Sequence, residues 1–139
     1  MSDTPWENFS AAELACRCGC NLGHEHMHTD FMDYIQTVRT ETGIIMPVTS
    51  AVRCDNHDNG QGGARAHTVQ AYSGKCHALD INVWGKDYDT LDRIFSRDGF
   101  ITGRGAKQHG PTNHRFMHID NHPEELNLNR YRPIAWTYE

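Results

Sequence analysis

The stretch RFMHID, residues 115–120, sets an imidazole and a carboxylate two positions apart, His118 and Asp120, around the apolar Ile119 and behind the apolar Met117. A strand sends successive side chains to opposite faces, so His118 and Asp120 would share one face while Met117 and Ile119 anchor the other. A second run, HALDINVW at 77–84, has the same character: Leu79, Ile81 and Val83 take one face, and Ala78, Asp80 and Asn82 the other. A carboxylate inside an apolar strand is costly unless it is paired or bound to a metal. Zinc would resolve that cost, because catalytic zinc takes three nitrogen or oxygen side-chain ligands and leaves one position for water. Two histidines and one carboxylate would leave a net positive charge, enough to acidify a water and polarise a carbonyl. Asp80 and His118 supply two of the ligands, and the third should lie upstream of Asp80. His67, in the loop before the strand, is preferred. His77 is three residues before Asp80 and would face the other way on a regular strand, and His57 is a third option. The competing reading is a structural hydrogen bond between a histidine and an aspartate on adjacent strands.

Other elements must hold these residues in place. DFMDYIQTVRTETG reads as a helix with Thr29 or Asp30 as cap, a stripe of Phe31, Ile35 and Val38, and Gly43 as stop. A second helix fits DYDTLDRIFSRDG, with Tyr88, Leu91, Ile94 and Phe95 inward and Gly99 at its end. A short helical turn is expected around 10–15. Strands are expected at 44–50, 77–84, 100–103 and 115–121, with a polar loop over 103–114 and a tail that packs its aromatics back on the body. The polar, glycine-rich stretch 53–73 is too long for an ordinary connection and is expected to be functional. Strands and helices do not alternate regularly. The expected class is therefore α+β, with a small, mainly antiparallel sheet and helices packed on one side.

With 139 residues and no repeat or low-complexity linker, a single domain spanning 1–139 is expected. The formal charge of −5, with no dense Lys/Arg cluster, argues against a nucleic-acid partner. Apolar runs are too short for a transmembrane helix or a secretory signal, so membrane insertion is not expected and synthesis should end in a cytoplasm. Five cysteines in such a chain favour reduced thiols, and their odd number precludes full pairing. Cys16, Cys18 and Cys20, followed by His24, His26 and His28, invite a second metal site. The spacing is not that of a zinc knuckle, however, and an extended chain would turn Cys18 away from the other two. Buried thiols and solvated imidazoles are the expectation there. Neither a Gly-x-Ser-x-Gly elbow nor a convincing Cys–His pair is present, which disfavours covalent catalysis.

Taken together, TSAVRC, GGARAHT, GKCHALDI and RFMHID resemble the zinc peptidases that cut peptidoglycan stem peptides, the D-alanyl-D-alanine carboxypeptidases and the L-alanyl-D-glutamate endopeptidases of phage endolysins. Hedgehog signalling domains share their fold. The resemblance runs from about Phe9 to Trp136, and ELACRCGC is similar to the opening of phage members. It implies one zinc ion held by His67, Asp80 and His118, with Arg53 orienting a substrate carboxylate or carbonyl, a role that suits a planar fork. A loop-bracing salt bridge is the alternative for Arg53. Members ending in His-x-Asp imply Asp120 as general base, with His114 as alternative. Twelve residues separate His67 from Asp80, more than in the family pattern, while Cys76 and Arg65 replace its usual Gly and Ser. The implied function is hydrolysis of the L-Ala–D-Glu bond by a monomeric endolysin. Its partner would be peptidoglycan, reached from the host cytoplasm after a separate protein permeabilises the membrane. A D-Ala-D-Ala carboxypeptidase, a non-catalytic zinc-containing recognition module and a structural virion component are the alternatives.

Overall fold

A computed structural model describes residues 3–54, 66–68, 74–123 and 132–138. Strands β1 (Val48–Ser50), β2 (Ala78–Ile81), β3 (Gly103–Lys107), β4 (Phe116–Asp120) and β5 (Ile134–Thr137) form one sheet in the order β1-β2-β4-β3-β5. The β1–β2, β2–β4 and β3–β4 pairs are antiparallel, and β3–β5 is parallel. Helices α1 (Ala11–Leu14), α2 (Thr29–Thr42) and α3 (Gly85–Asp98) complete the α+β fold, with short 3-10 turns at His24–His26 and Thr112–His114.

One face of the sheet is hydrophobic by alternation. Leu79 and Ile81 of β2 and Met117 and Ile119 of β4 join Phe31, Met32, Ile35 and Val38 of α2 and Leu91 and Phe95 of α3 in one buried cluster. Burying each such side chain contributes about 1.5–3 kcal/mol, which fixes the register. The opposite face of β2 and β4 then carries Asp80, His118 and Asp120, all of them buried as well. A polar face out of contact with water has to be satisfied from within.

Both long helices end at a left-handed glycine, Gly43 (φ 68°) and Gly99 (φ 74°), as their sequences require. The N-terminus of α2 differs from expectation. His28, not Thr29 or Asp30, is the cap, its Nδ1 accepting from the Phe31 N–H at 3.3 Å. Ser10 and Glu13 form a reciprocal capping box on α1.

Two strand assignments change. The run 44–50 pairs only from Val48 onward. Ile45 is 68 % exposed, and the Pro47 carbonyl instead accepts from the Asn82 N–H. The expected 100–103 strand is displaced into the presumed loop, where Gly103–Lys107 forms β3 between β4 and β5. GRGAK has no hydrophobic alternation to announce a strand, and its glycines answer to a different demand. A Cβ on Gly103 would lie 2.5 Å from both Arg132 Nε and Asp120 Oδ1, and one on Gly105 would lie 2.6 Å from the Tyr138 ring and 2.7 Å from Trp136. Side chains from the tail cross the sheet at these two points, so β3 must be bare there. The tail does bring its aromatics onto the body, but as a strand.

Candidate metal centre

Asp80 on β2 and His118 on β4 are direct cross-strand partners in the antiparallel register. His67 reaches them from residues 66–68, which dock on the chain after β1. The Arg53 N–H donates to the His67 carbonyl at 3.1 Å, and His67 Nδ1 donates to the Ala51 carbonyl at 2.7 Å. Three atoms thereby converge. His67 Nε2 is 3.2 Å from Asp80 Oδ1 and 3.2 Å from His118 Nδ1, and His118 Nδ1 is 2.9 Å from Asp80 Oδ1. His67, Asp80 and His118 thus form one of the clusters able to hold a cation.

The hydrogen bonds around the triangle decide what its atoms present. His67 carries its proton on Nδ1, toward Ala51. His118 Nε2 lies 2.7 Å from Asp120 Oδ2 and carries the other. With both rings neutral, as a bound metal requires, that leaves a lone pair on His67 Nε2, a lone pair on His118 Nδ1 and a carboxylate oxygen facing one another with no hydrogen between them. Three acceptors in van der Waals contact, all buried, repel unless a cation sits among them. Two nitrogens and an oxygen at metal bond lengths of about 2.0–2.2 Å span edges of about 3.3–3.6 Å, close to the observed triangle, so the donor set fits zinc.

The electrostatics agree. Burial opposes the Asp80 charge, yet His67 and His118 hold the carboxyl far below its usual range. Burial likewise opposes an imidazolium at His118, but Asp120 and Asp80 overcome it and raise the pKa to about 9. The centre attracts positive charge, and a proton takes the place of a metal when none is bound.

A sequence model of the family described as Peptidase M15 matches residues 7–120. The chain belongs to that family. No curated protein and no solved structure gives a match. As a Peptidase M15 member the chain is a zinc-dependent peptidase acting on peptidoglycan, and the matched stretch contains the whole acceptor triangle.

Within this M15 fold Asp120 has neighbours that do not suit a general base. It is fully buried. Arg132 donates to it twice, Nε to Oδ1 at 2.9 Å and Nη2 to Oδ2 at 2.6 Å, while His118 Nε2 takes Oδ2 as well. Burial works against its charge, but His118 and Arg132 hold its pKa well below the ordinary value. A carboxylate engaged in this way stays ionised and lies behind His118, on the ring edge away from the triangle. The fork of Arg132, a residue twelve positions on in the tail, could not be paired with Asp120 from the sequence. Arg132 also sits 5.3 Å from the Trp136 ring centroid, and Trp136 lies 5.4 Å from the His118 ring.

Arg53 is beside the centre. Its Nη2 is 3.6 Å from Asp80 Oδ2, and its Nε donates to Ser50 Oγ at 2.9 Å. His77 faces away from the triangle, as strand alternation requires. It stacks on His28 at 4.0 Å, and its Nδ1 donates to Asn121 Oδ1 at 2.8 Å. His114 closes the exposed 3-10 turn before β4 and is not part of the cluster. His57 lies outside the described residues.

Proposed function

We propose that this M15 peptidase is an endolysin-type endopeptidase that hydrolyses the L-alanyl–D-glutamate bond of the stem peptide, with His67, Asp80 and His118 as ligands of one catalytic zinc. The reading rests on three converging acceptor atoms beside an arginine fork. When bound, zinc would supply a Lewis acid able to acidify a water and polarise the scissile carbonyl. The chain's own residues set that chemistry up. Asp120 keeps the His118 proton on Nε2, which aims the Nδ1 lone pair into the centre, and Arg132 keeps Asp120 charged. Asp120 is in this reading a positioning residue.

Arg53 supplies substrate selection. The D-glutamate of a stem peptide continues through its γ-carboxyl, so its α-carboxylate stands free next to the scissile amide. A guanidinium 3.6 Å from Asp80 Oδ2, at the edge of the centre, could receive such a group and so orient the adjoining amide. Action as a monomer, reaching the wall from the host cytoplasm once another protein has opened the membrane, belongs to the same proposal. Among the described residues no helix is long and apolar enough to cross a membrane.

Mass spectrometry of purified peptidoglycan digested with the zinc-loaded protein, beside His118→Ala, tests this reading. Fragments with a new D-glutamate amino terminus are expected from the wild-type protein alone. Release of only terminal D-alanine would assign a carboxypeptidase instead, and intact peptidoglycan with zinc still bound would leave a recognition module.

A further inference from the structure

The cysteines near the N-terminus do not lie on an extended chain, and Cys18 is not turned away from its neighbours. Residues 16–22 curl into a closed loop. The Cys16 N–H donates to the Leu22 carbonyl at 2.9 Å, the Gly19 N–H to the Cys16 carbonyl at 3.3 Å, and Gly19 (φ 78°) and Asn21 (φ 71°) take the left-handed turns that this curvature needs. Cys16, Cys18 and Cys20 then point to one side, and a fourth thiol, Cys54, meets them from the segment after β1. Cys16 Sγ is 3.4 Å from Cys18 Sγ and 4.0 Å from Cys54 Sγ, and Cys18 Sγ is 3.5 Å from Cys54 Sγ. All four sulfurs lie within 4.8 Å of one another.

We infer that Cys16, Cys18, Cys20 and Cys54 form a second, structural zinc site with four thiolate ligands, separate from the His67–Asp80–His118 centre. Four sulfurs at about 2.3 Å from a tetrahedral ion are about 3.8 Å apart, and the distances here straddle that value. Disulfides would account for the cluster less well. They need about 2.05 Å, join sulfurs in pairs, and would not gather four around a common point. A packing role also fits poorly, because of these four Cys18 and Cys20 are exposed, Cys54 is half-buried and Cys16 alone is buried. The surroundings are prepared for the purpose. The Cys54 N–H points at Cys16 Sγ at 3.5 Å. The Arg17 guanidinium braces the loop by donating to the carbonyls of Ala12 (2.7 Å), Ala15 (3.2 Å) and Val48 (3.2 Å). The nearby histidines serve the backbone instead: His26 Nδ1 accepts from the Gly23 N–H, and His28 caps α2.

The placement gives the site a task. Cys54 follows Arg53 directly, so an ion held by the four thiolates ties the N-terminal loop to the residue next to the arginine that flanks Asp80. The thiolates would fix where the chain leaves β1, and through it the guanidinium. The fifth cysteine, Cys76, is buried elsewhere and takes no part.

Zinc content and zinc-edge X-ray absorption of the full-length protein, purified under reducing conditions, test the assignment. Two zinc ions per wild-type chain are expected, with a sulfur shell at about 2.3 Å. His118→Ala should keep one zinc, now with four sulfur neighbours, and Cys18→Ser/Cys20→Ser should keep one zinc with nitrogen and oxygen neighbours only. One zinc per wild-type chain bound solely by sulfur would support this site while sinking the catalytic one. One zinc with no sulfur shell, or Cys18 and Cys20 reacting in the native zinc-loaded protein as fast as in the unfolded one, would overturn the inference. The wild-type measurements decide it even where a cysteine variant fails to fold.

Discussion

Removal of the Asp120 carboxylate separates two accounts of that residue. In the structure Asp120 accepts both hydrogen bonds of a buried arginine fork and holds the far nitrogen of His118. Asp120→Ala therefore leaves the Arg132 guanidinium, itself only 4 % exposed, without its carboxylate in the sheet. Breaking one side of such a pair costs about 3–5 kcal/mol. For a chain of this size that corresponds to a fall in Tm of roughly 10–20 °C. The same change frees the His118 tautomer and lowers zinc affinity by about 10–100-fold, or about 1.4–2.7 kcal/mol. Asp120→Asn should be milder, because the amide oxygen can still accept from His118. Melting curves with and without zinc, chelator competition for affinity, and kcat at saturating zinc together read out these effects. The expectation is a large loss of stability, weaker zinc binding, and activity returning to within about tenfold of wild type when zinc saturates. Unchanged zinc affinity with kcat reduced about 100-fold or more would refute the reasoning and restore Asp120 as the base, whose loss costs about 10²–10⁴.

Three further outcomes follow from the geometry. Gly103→Ala puts a methyl group 2.5 Å from Asp120 Oδ1 and Arg132 Nε, so it should displace that pair and lower Tm by an amount approaching that of Asp120→Ala, as read by calorimetry; an unchanged Tm would contradict the close approach. Arg53→Lys should lower kcat/KM by about 10–100-fold, mainly through KM, with zinc content unchanged, since a fork-shaped, charge-assisted contact is worth about 1.5–3 kcal/mol; unchanged kinetics would return Arg53 to a bracing role. His77 is 1 % exposed, and burial lowers its pKa from 6.5 to about 4, so the unfolded chain binds the proton that the folded one refuses. The stability this contributes is complete above about pH 6.5 and is lost as pH falls toward 4, on the order of 3 kcal/mol in all; His77→Gln should flatten that slope in urea titrations across the range.

The sequence made the site visible where a polar residue broke an apolar alternation. Asp80 and His118 stand out in this way, and each strand's pattern fixes its face without knowledge of the partner strand. The stripe of Phe31, Ile35 and Val38 announced α2 for the same reason, with Gly43 and Gly99 marking the helix ends. Features carried by distant contacts stayed hidden. β3 has no pattern of its own, because its glycines exist to let Arg132 and Trp136 lie across it. Asp120 looked like a free carboxylate on the metal face until the Arg132 fork was seen to occupy it. Cys54 is far from Cys20 in sequence, and nothing local shows that the 16–22 loop curls to meet it. His28 took the cap of α2 from residues with higher intrinsic preference, since its backbone is already fixed by the bond from its N–H to the Cys76 carbonyl at 2.8 Å.

The central claim is that His67, Asp80 and His118 hold the catalytic zinc, and a crystal structure of the zinc-loaded protein with anomalous differences measured at the zinc edge tests it most directly. A peak about 2.0–2.2 Å from His67 Nε2, Asp80 Oδ1 and His118 Nδ1 is the predicted result. Loaded protein with no peak at that point, or with His118 bound through Nε2 and Asp120 turned away, would contradict the account.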